Sequence, residues 1–176
     1  MLSFKQHVQL DEGNPLARLA KHAEEGRHYA ILSSQRSHDE VSPEQNKKNH
    51  EELKKKLSAQ GYTHKEVEGH WEGGKEKSIM VHAKGKGEEH GKQLLHDIKK
   101  HGEHYNQDSI LHHDGKTATL HGTNKTGHPG YGKSENVGKM AFNKPHAPFQ
   151  TETKPKSDKP LKPGRTSKGS ARFTTV

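Results

Sequence analysis

The sequence predicts an α+β fold of the ferredoxin-like, split β-α-β type, in which two helices cover one face of an antiparallel sheet. Two segments show helical periodicity, and the segments around them are short apolar runs or runs in which apolar and polar residues alternate, as in strands. Together they give the order β-α-β-β-α-β with one added strand. Turn-forming pairs join the runs that follow one another directly. Only 25% of the 176 residues are hydrophobic. That fraction suffices for one small core but not for two.

The first strand and the first helix carry clear local signals. Residues 29–34 read Tyr-Ala-Ile-Leu-Ser-Ser, a compact apolar run that is typical of a buried strand. Ser42-Pro43-Glu44-Gln45 supplies an N-cap serine, a proline at the first helical position and a glutamine at the third. Leu53 and Leu57 lie one turn apart, and Gly61 ends the helix. Because this apolar stripe is narrow, the helix should cover a sheet.

The remaining elements follow from the same kinds of signal. They are strands over 62–71, 76–83, 109–113 and 117–121, and a helix over 88–101. Gly73-Gly74 separates the first two of these strands, and Gly102 is placed to end the helix. Asp114-Gly115 lies between the last two strands and is the strongest hairpin signal in the chain.

The charge divides the chain into unequal parts. Residues 1–122 carry 19 basic and 19 acidic side chains, whereas residues 123–176 carry 11 basic and 3 acidic ones, so the net charge of +8 belongs to the last third. We therefore predict three segments: a leader with a short amphipathic helix over 1–26, an α+β domain over 27–122, and an extended basic tail over 123–176.

The basic tail is rich in Gly, Pro and Lys and lacks periodicity, so it predicts salt-sensitive contact with nucleic acid or with neighbouring subunits. Its candidate contact residues are Lys125, Lys133, Lys139, Lys144, Lys154, Lys156, Lys159, Lys162, Arg165, Lys168 and Arg172.

Composition excludes several classes of function. The chain has no cysteine, which excludes disulfides, thiolate metal sites and thiol nucleophiles. No apolar run approaches the ~18 residues that a bilayer requires, so neither a membrane anchor nor a membrane partner is expected. The N-terminus is too short and too polar for a secretory signal peptide.

Polar residues cluster at the predicted strand ends, which converge in a split β-α-β fold. They are Ser33, Ser34, Arg36, Asn46, Asn49, Glu76, Ser78, Gln107 and Asp108. One interpretation is a ligand pocket, and the other is capping and backbone hydrogen bonding, which Ser, Asn and Asp commonly provide. No catalytic set is evident among them.

A phosphate-binding loop is suggested by Gly127-His-Pro-Gly-Tyr-Gly132-Lys133-Ser134, which fits G-x-x-x-x-G-K-S. That chemistry requires a buried strand before the loop and a helix after it. Neither flank has the corresponding pattern, so a flexible glycine-rich segment is the preferred interpretation.

The 17 histidines raise the question of a metal site. The closest groupings are His101 with His104, and His112-His113-Asp114. His112 and His113 should point to opposite faces of a strand, and no motif brings three ligands together. The sequence therefore predicts no metal and no cofactor.

A family resemblance rests on spaced residues over about 28–115. They are Tyr29-Ala-Ile-Leu-Ser-Ser-Gln-Arg-Ser37, Glu44-x-Asn46-x-x-Asn49 with Leu53, Leu57 and Gly61, then Gly69, Glu76-x-Ser78-x-x-Val81, and Asn106-Gln107-Asp108-Ser109-Ile110. This pattern resembles the domain of unknown function 3293 family of bacteria and tailed phages. The resemblance implies a fold and no reaction.

The leader resembles those of tailed-phage proteins in Met-x-x-Phe-Lys-Gln, and Leu10-Asp11-Glu12-Gly13 is similar to the site cut by the head-maturation protease of T4-like phages. Together with the basic tail, these features favour a non-enzymatic virion component, located in the virion or the host cytoplasm. The alternative is a small intracellular enzyme or ligand-binding module that uses the strand-end pocket.

Overall fold

A computed structural model of the chain describes residues 22, 25–37, 39–71, 74–138, 140–142, 150–152 and 172–175. The two helices are α1 (Pro43–Ala59) and α2 (Glu88–His104). The strands are β1 (Tyr29–Leu32), β2 (Thr63–Trp71), β3 (Gly74–His82), β4 (Ser109–His113), β5 (Ala118–Gly122), β6 (Ser134–Gly138), β7 (Met140–Phe142), β8 (Gln150–Glu152) and β9 (Arg172–Thr175).

The strands form one antiparallel sheet in the order β6-β5-β4-β1-β3-β2-β8-β9-β7. Its central part, β4-β1-β3-β2, has the strand order that two interleaved β-α-β units produce. The predicted α+β fold class is therefore confirmed. The turn between β4 and β5 lies where the sequence places it, and Asp114 Oδ1 accepts hydrogen bonds of 2.8 Å from the amides of Lys116 and Thr117.

Both helices cover one face of the sheet, and the main core lies between them and the strands. Helix α1 begins as predicted, because the Ser42 hydroxyl accepts a hydrogen bond from the Gln45 amide at 3.2 Å. The fully or nearly fully buried apolar residues of this layer are Ala30, Leu32, Leu53, Leu57, Tyr62, Ile79, Val81, Ala83, Leu94, Ile98, Tyr105 and Ile110. The narrow stripe of Leu53 and Leu57 is thus sufficient, since each helix buries only one side.

The second face of the sheet carries a smaller buried cluster of Tyr29, Ile31, Val67 and Met80. The sheet that carries this cluster is not flat. Strands β6 and β7 lie at opposite ends of the strand order, yet only residue 139 separates them. Their adjoining ends can be no more than about 7.6 Å apart, because successive Cα atoms are 3.80 Å apart. The two edges therefore approach each other, and the sheet curves round.

The sheet extends beyond Gly122, where the sequence pattern of the domain ends. Strand β6 pairs with β5, and the short strands β7, β8 and β9 pair with one another and with β2. The predicted segment boundaries at 26/27 and 122/123 stay predictions. The predicted leader and its helix lie outside the described residues apart from His22, Glu25 and Gly26.

The segment that fits the phosphate-loop pattern leads into a strand. Residues 123–133 form turns, and β6 follows directly at Ser134. A helix N-terminus, which that chemistry requires, is therefore missing after the loop. None of the described helices is both long and apolar enough to cross a membrane.

Candidate functional site

The loop after β1, residues 33–37, is held in place by side chains from several elements, and we call it the β1 loop. The Ser33 hydroxyl donates to the carbonyl of Lys77 at 2.9 Å and accepts from the amide of Gln35 at 3.0 Å. The Gln107 side-chain amide donates to the carbonyl of Gln35 at 2.8 Å. These bonds tie the loop to β3 and to the segment that leads into β4.

Asn46 on α1 holds the next residue of the loop through two hydrogen bonds. The amide of Arg36 donates to Asn46 Oδ1 at 2.9 Å, and Asn46 Nδ2 donates to the carbonyl of Arg36 at 2.8 Å. Asn46 is only 4% exposed. Three predicted pocket residues, Ser33, Asn46 and Gln107, therefore satisfy backbone groups, which is the structural role weighed against a pocket in the sequence analysis.

The Arg36 guanidinium lies at the centre of a polar network. Its Nε donates to Glu40 at 2.5 Å, and its Nη1 donates to the carbonyl of Asn106 at 2.7 Å and to Asp108 Oδ1 at 3.2 Å. Burial lowers the pKa of Arg36, but its hydrogen bonds to Glu40 and Asp108 outweigh that effect and raise it. The side chain is 19% exposed and remains cationic.

Glu76, near the start of β3, adds a carboxyl group that is close enough to interact with Ser33, Arg36 and Asp108. Burial raises the pKa of Glu76, and the nearby Ser33 hydroxyl partly offsets this. The charge of Asp108 raises the pKa further, whereas that of Arg36 lowers it. We call Ser33, Arg36, Glu76 and Asp108 the strand-end cluster.

The strand-end cluster can recognise charges of both signs. Arg36 offers a fixed cation, while Glu76 and Asp108 offer carboxylates. A ligand that carries an ammonium or other cation together with a carboxylate would find partners for each group here. A carboxyl with a raised pKa beside a fixed cation is also a common property of functional sites.

The last two serines of the predicted pocket are buried. Ser34 is 0% exposed, and its hydroxyl has no hydrogen-bond partner among the described residues. Ser78 is 6% exposed and lies two residues after Glu76 on the same face of β3. A buried hydroxyl without a partner is costly, so Ser34 marks a place where a water or a ligand atom would be stabilised.

An open groove adjoins the cluster on the helix side. Its volume is about 460 Å³, and it is lined by Arg36, Glu40, Val41, Asn49, Glu52, His104, Tyr105 and Asn106. The volume lies within the range of small-molecule sites. Only Arg36 and Asn49 of the predicted pocket residues line it, and Asn49 accepts a hydrogen bond from Gln45 Nε2 at 2.7 Å.

The sequence analysis missed Glu52, His104 and Tyr105 in the groove. Glu52 pairs with Lys56 one turn later at 2.6 Å, which holds the pKa of the Glu52 carboxyl below its usual range. The Tyr105 ring stacks edge-on against His104. No spacing in the sequence indicates that Glu52 on α1 lies near His104 and Tyr105 at the end of α2. Their proximity depends on how the two helices pack together.

Comparison with known families identifies the chain. The model of the S-adenosylmethionine lyase family matches residues 30–159, well over half of the sequence and including the strand-end cluster. The chain belongs to this family. No curated protein matches the sequence.

The family match corrects two predictions. The resemblance to the domain of unknown function 3293 family is wrong, because it rested on spaced single residues over a shorter range than the match to S-adenosylmethionine lyases. The prediction of a non-enzymatic phage virion protein that binds nucleic acid is also wrong, since lyases are enzymes. The alternative of a small enzyme with a polar pocket agrees better with this family.

The proposed tail contacts are largely outside the part of the chain that can be described. Lys125 and Lys133 are exposed, and only the backbone of Arg172 is described, in β9. The other eight lie outside the described residues: Lys139, Lys144, Lys154, Lys156, Lys159, Lys162, Arg165 and Lys168. A macromolecular partner for the tail stays a prediction.

Proposed function

We propose that this protein cleaves S-adenosylmethionine as a lyase. The observation that carries the proposal is the family match, which encloses a cluster of opposite charges at the strand ends. S-adenosylmethionine has a sulfonium and an ammonium cation and one carboxylate. Glu76 and Asp108 would bind the cationic groups, and Arg36 would bind the carboxylate.

A lyase breaks a carbon–sulfur bond of this substrate without adding water. In the first route, a carboxylate oxygen of the substrate attacks Cγ of the same substrate molecule and forms a bond to it. The bond between Cγ and sulfur breaks, and its electron pair goes to sulfur. The products are neutral methylthioadenosine and a five-membered homoserine lactone that keeps the ammonium charge, and no proton is transferred.

The second route is an elimination. A base removes a proton from Cβ as the bond between Cγ and sulfur breaks, and the products are methylthioadenosine and vinylglycine. The Cβ proton is not acidic, and a carboxylate is a weak base. We therefore propose the lactone route, in which the protein binds, orients and desolvates the substrate.

In this scheme Glu76 acts in substrate binding. Replacing Glu76 by Gln removes the negative charge and keeps the shape. A charge-assisted hydrogen bond contributes about 1.5–3 kcal/mol, so we expect KM for S-adenosylmethionine to rise by about 10- to 100-fold. Methylthioadenosine release, quantified by chromatography and mass spectrometry, measures this change.

The matched control is Glu88→Gln at the start of α2, where the carboxyl is exposed and pairs loosely with Lys92 at 3.9 Å. It should leave KM unchanged. If Glu76→Gln folds normally and keeps the KM of the wild type, Glu76 does not bind the substrate. If the wild-type chain releases no methylthioadenosine at all, the proposed function itself is refuted.

A further inference from the structure

Helix α2 is followed by a residue whose backbone carbonyl contacts the Arg36 guanidinium. The amide of Asn106 donates to the carbonyl of Glu103 at 3.1 Å. The amide of Gln107 donates to the carbonyl of Gly102 at 2.8 Å. These two hydrogen bonds form a Schellman motif, in which Asn106 takes the left-handed position with a φ of 55°. The carbonyl of Asn106 then accepts a hydrogen bond from Arg36 Nη1 at 2.7 Å.

The end of the helix does not by itself explain why residue 106 is an asparagine. Glycine is the usual residue at this position, because it adopts a positive φ without strain. Asparagine also tolerates this conformation, and it adds a side chain. Asn106 Oδ1 accepts a hydrogen bond from Asn124 Nδ2 at 3.0 Å. Asn124 Nδ2 also lies 3.5 Å from the Asn106 carbonyl oxygen, which is the atom that Arg36 contacts. Asn106 therefore connects Arg36 to the segment after β5.

The segment after β5, residues 123–127, is fixed against the strand-end cluster. The amide of Thr123 donates to the carbonyl of Asp108 at 3.0 Å. A Cβ on Gly127 would lie 2.4 Å from the Cβ of Asp108, so the backbone of the segment passes directly against that side chain. Asn124 belongs to this segment and therefore gives residue 106 a fixed support.

One edge of the Arg36 guanidinium is available to a ligand. Its hydrogen bonds to Glu40, Asn106 and Asp108 use Nε and Nη1. Nη2 has no hydrogen-bond partner among the residues that the structure describes, and Arg36 lines the open groove. Because the guanidinium is planar, a carboxylate binds two of its N–H groups only when the plane keeps its orientation. The Asn106 carbonyl is one of the three groups that set this orientation.

We propose that Asn106 and Asn124 are positioning residues for substrate recognition, which act through Arg36 and orient its guanidinium for a ligand carboxylate. The inference rests on the proposed function, because that carboxylate belongs to S-adenosylmethionine. Neither asparagine side chain touches the ligand in this scheme. Loss of either side chain should therefore weaken the binding of ligands that carry the carboxylate and leave the binding of other ligands unchanged.

The experiment uses calorimetry to measure the binding of two probes to the full-length chain. S-adenosylhomocysteine carries the amino-acid carboxylate, whereas methylthioadenosine lacks it. Asn106→Gly and Asn124→Ala should each raise the Kd of S-adenosylhomocysteine by about 3- to 10-fold, as expected for residues in one hydrogen-bond network, and leave the Kd of methylthioadenosine unchanged. The matched control is Asn136→Ala on β6, which removes hydrogen bonds to Thr117 and Gly138 and should change neither Kd.

A second measurement observes Arg36 itself and needs no ligand. The Nε–H signal of Arg36 in a ¹H–¹⁵N spectrum is assigned by its absence in Arg36→Lys. Its exchange with water should be faster in Asn106→Gly and Asn124→Ala than in the wild type and the control, because the guanidinium is held less firmly. Asn106→Gly should not lower the melting temperature, since glycine suits the positive φ at this helix end. A purely structural role would therefore leave both the Kd and the exchange rate unchanged.

The outcomes separate this inference from the proposed function. An unchanged Kd of S-adenosylhomocysteine in both variants would overturn the inference, as would an equal loss of affinity for the two probes. If one variant does not fold, the other gives the same test. A wild-type chain that releases no methylthioadenosine refutes the proposed function. In that case the exchange of the Arg36 Nε–H decides alone, and an unchanged rate in Asn106→Gly and Asn124→Ala would show that the asparagines do not position the guanidinium.

Discussion

The two hydrogen bonds between Asn46 and the β1 loop give the most specific prediction about stability. The substitution that tests it is Asn46→Ala. It removes both hydrogen bonds to Arg36, of 2.9 and 2.8 Å, and leaves a partly buried amide and carbonyl without partners. Each unpaired group costs about 1–3 kcal/mol, and water can reach part of this site. We therefore expect a loss of about 2–4 kcal/mol in the free energy of unfolding.

The same change should lower activity, because the backbone of Arg36 positions its guanidinium beside Asp108. A displacement of about 1 Å can cost a factor of about 100 in rate. Urea unfolding gives the stability, and methylthioadenosine release gives the activity.

The control for this prediction is Asn49→Ala, one turn later on α1, whose single side-chain bond is an exposed one to Gln45. It should cost less than about 0.5 kcal/mol. The reasoning is refuted if Asn46→Ala and Asn49→Ala have equal stability, or if Asn46→Ala loses stability while keeping full activity at low substrate concentration.

Two further predictions concern stability. Burial lowers the pKa of His82 to about 3 and that of His112 to about 4, whereas both are near 6.5 when unfolded. The unfolded chain therefore binds more protons below pH 6.5, and stability should fall as the pH drops towards 4, by about 2–3 kcal/mol per histidine at pH 4.5. Urea unfolding at pH 7 and 4.5 tests this, and His82→Gln should reduce the difference; an equal difference would contradict it. Gly122→Ala should destabilise the protein by about 1–3 kcal/mol, because the added Cβ would lie 1.8 Å from the carbonyl oxygen of Gly130. A melting temperature equal to that of the wild type would contradict this second prediction.

The fold could be predicted because its elements carry local signals. The capping serine of α1 and the Asp114-Gly115 turn act within a few residues, and each forms as expected. Strand β6 has no such signal, since Ser134, Glu135 and Asn136 are exposed and polar. It exists because its backbone pairs with β5, and the stability of such an edge strand depends on the partner strand.

The candidate site was predictable only in part. Arg36 and Glu76 could be inferred because strand ends converge in this topology. Whether a polar side chain there faces a ligand or a backbone group depends on distances of tenths of an ångström, as Asn46 shows. The pairing of His28 with His112 joins residues 84 positions apart, so no spacing in the sequence indicates it.

The central claim is that the chain breaks S-adenosylmethionine without water. The most direct test incubates the purified protein with S-adenosylmethionine in water enriched in ¹⁸O and follows the products by mass spectrometry from the earliest time points. We predict methylthioadenosine and homoserine lactone, with no ¹⁸O in the lactone. Homoserine that carries ¹⁸O in its side-chain hydroxyl at the earliest times would show attack by water on Cγ and contradict a lyase.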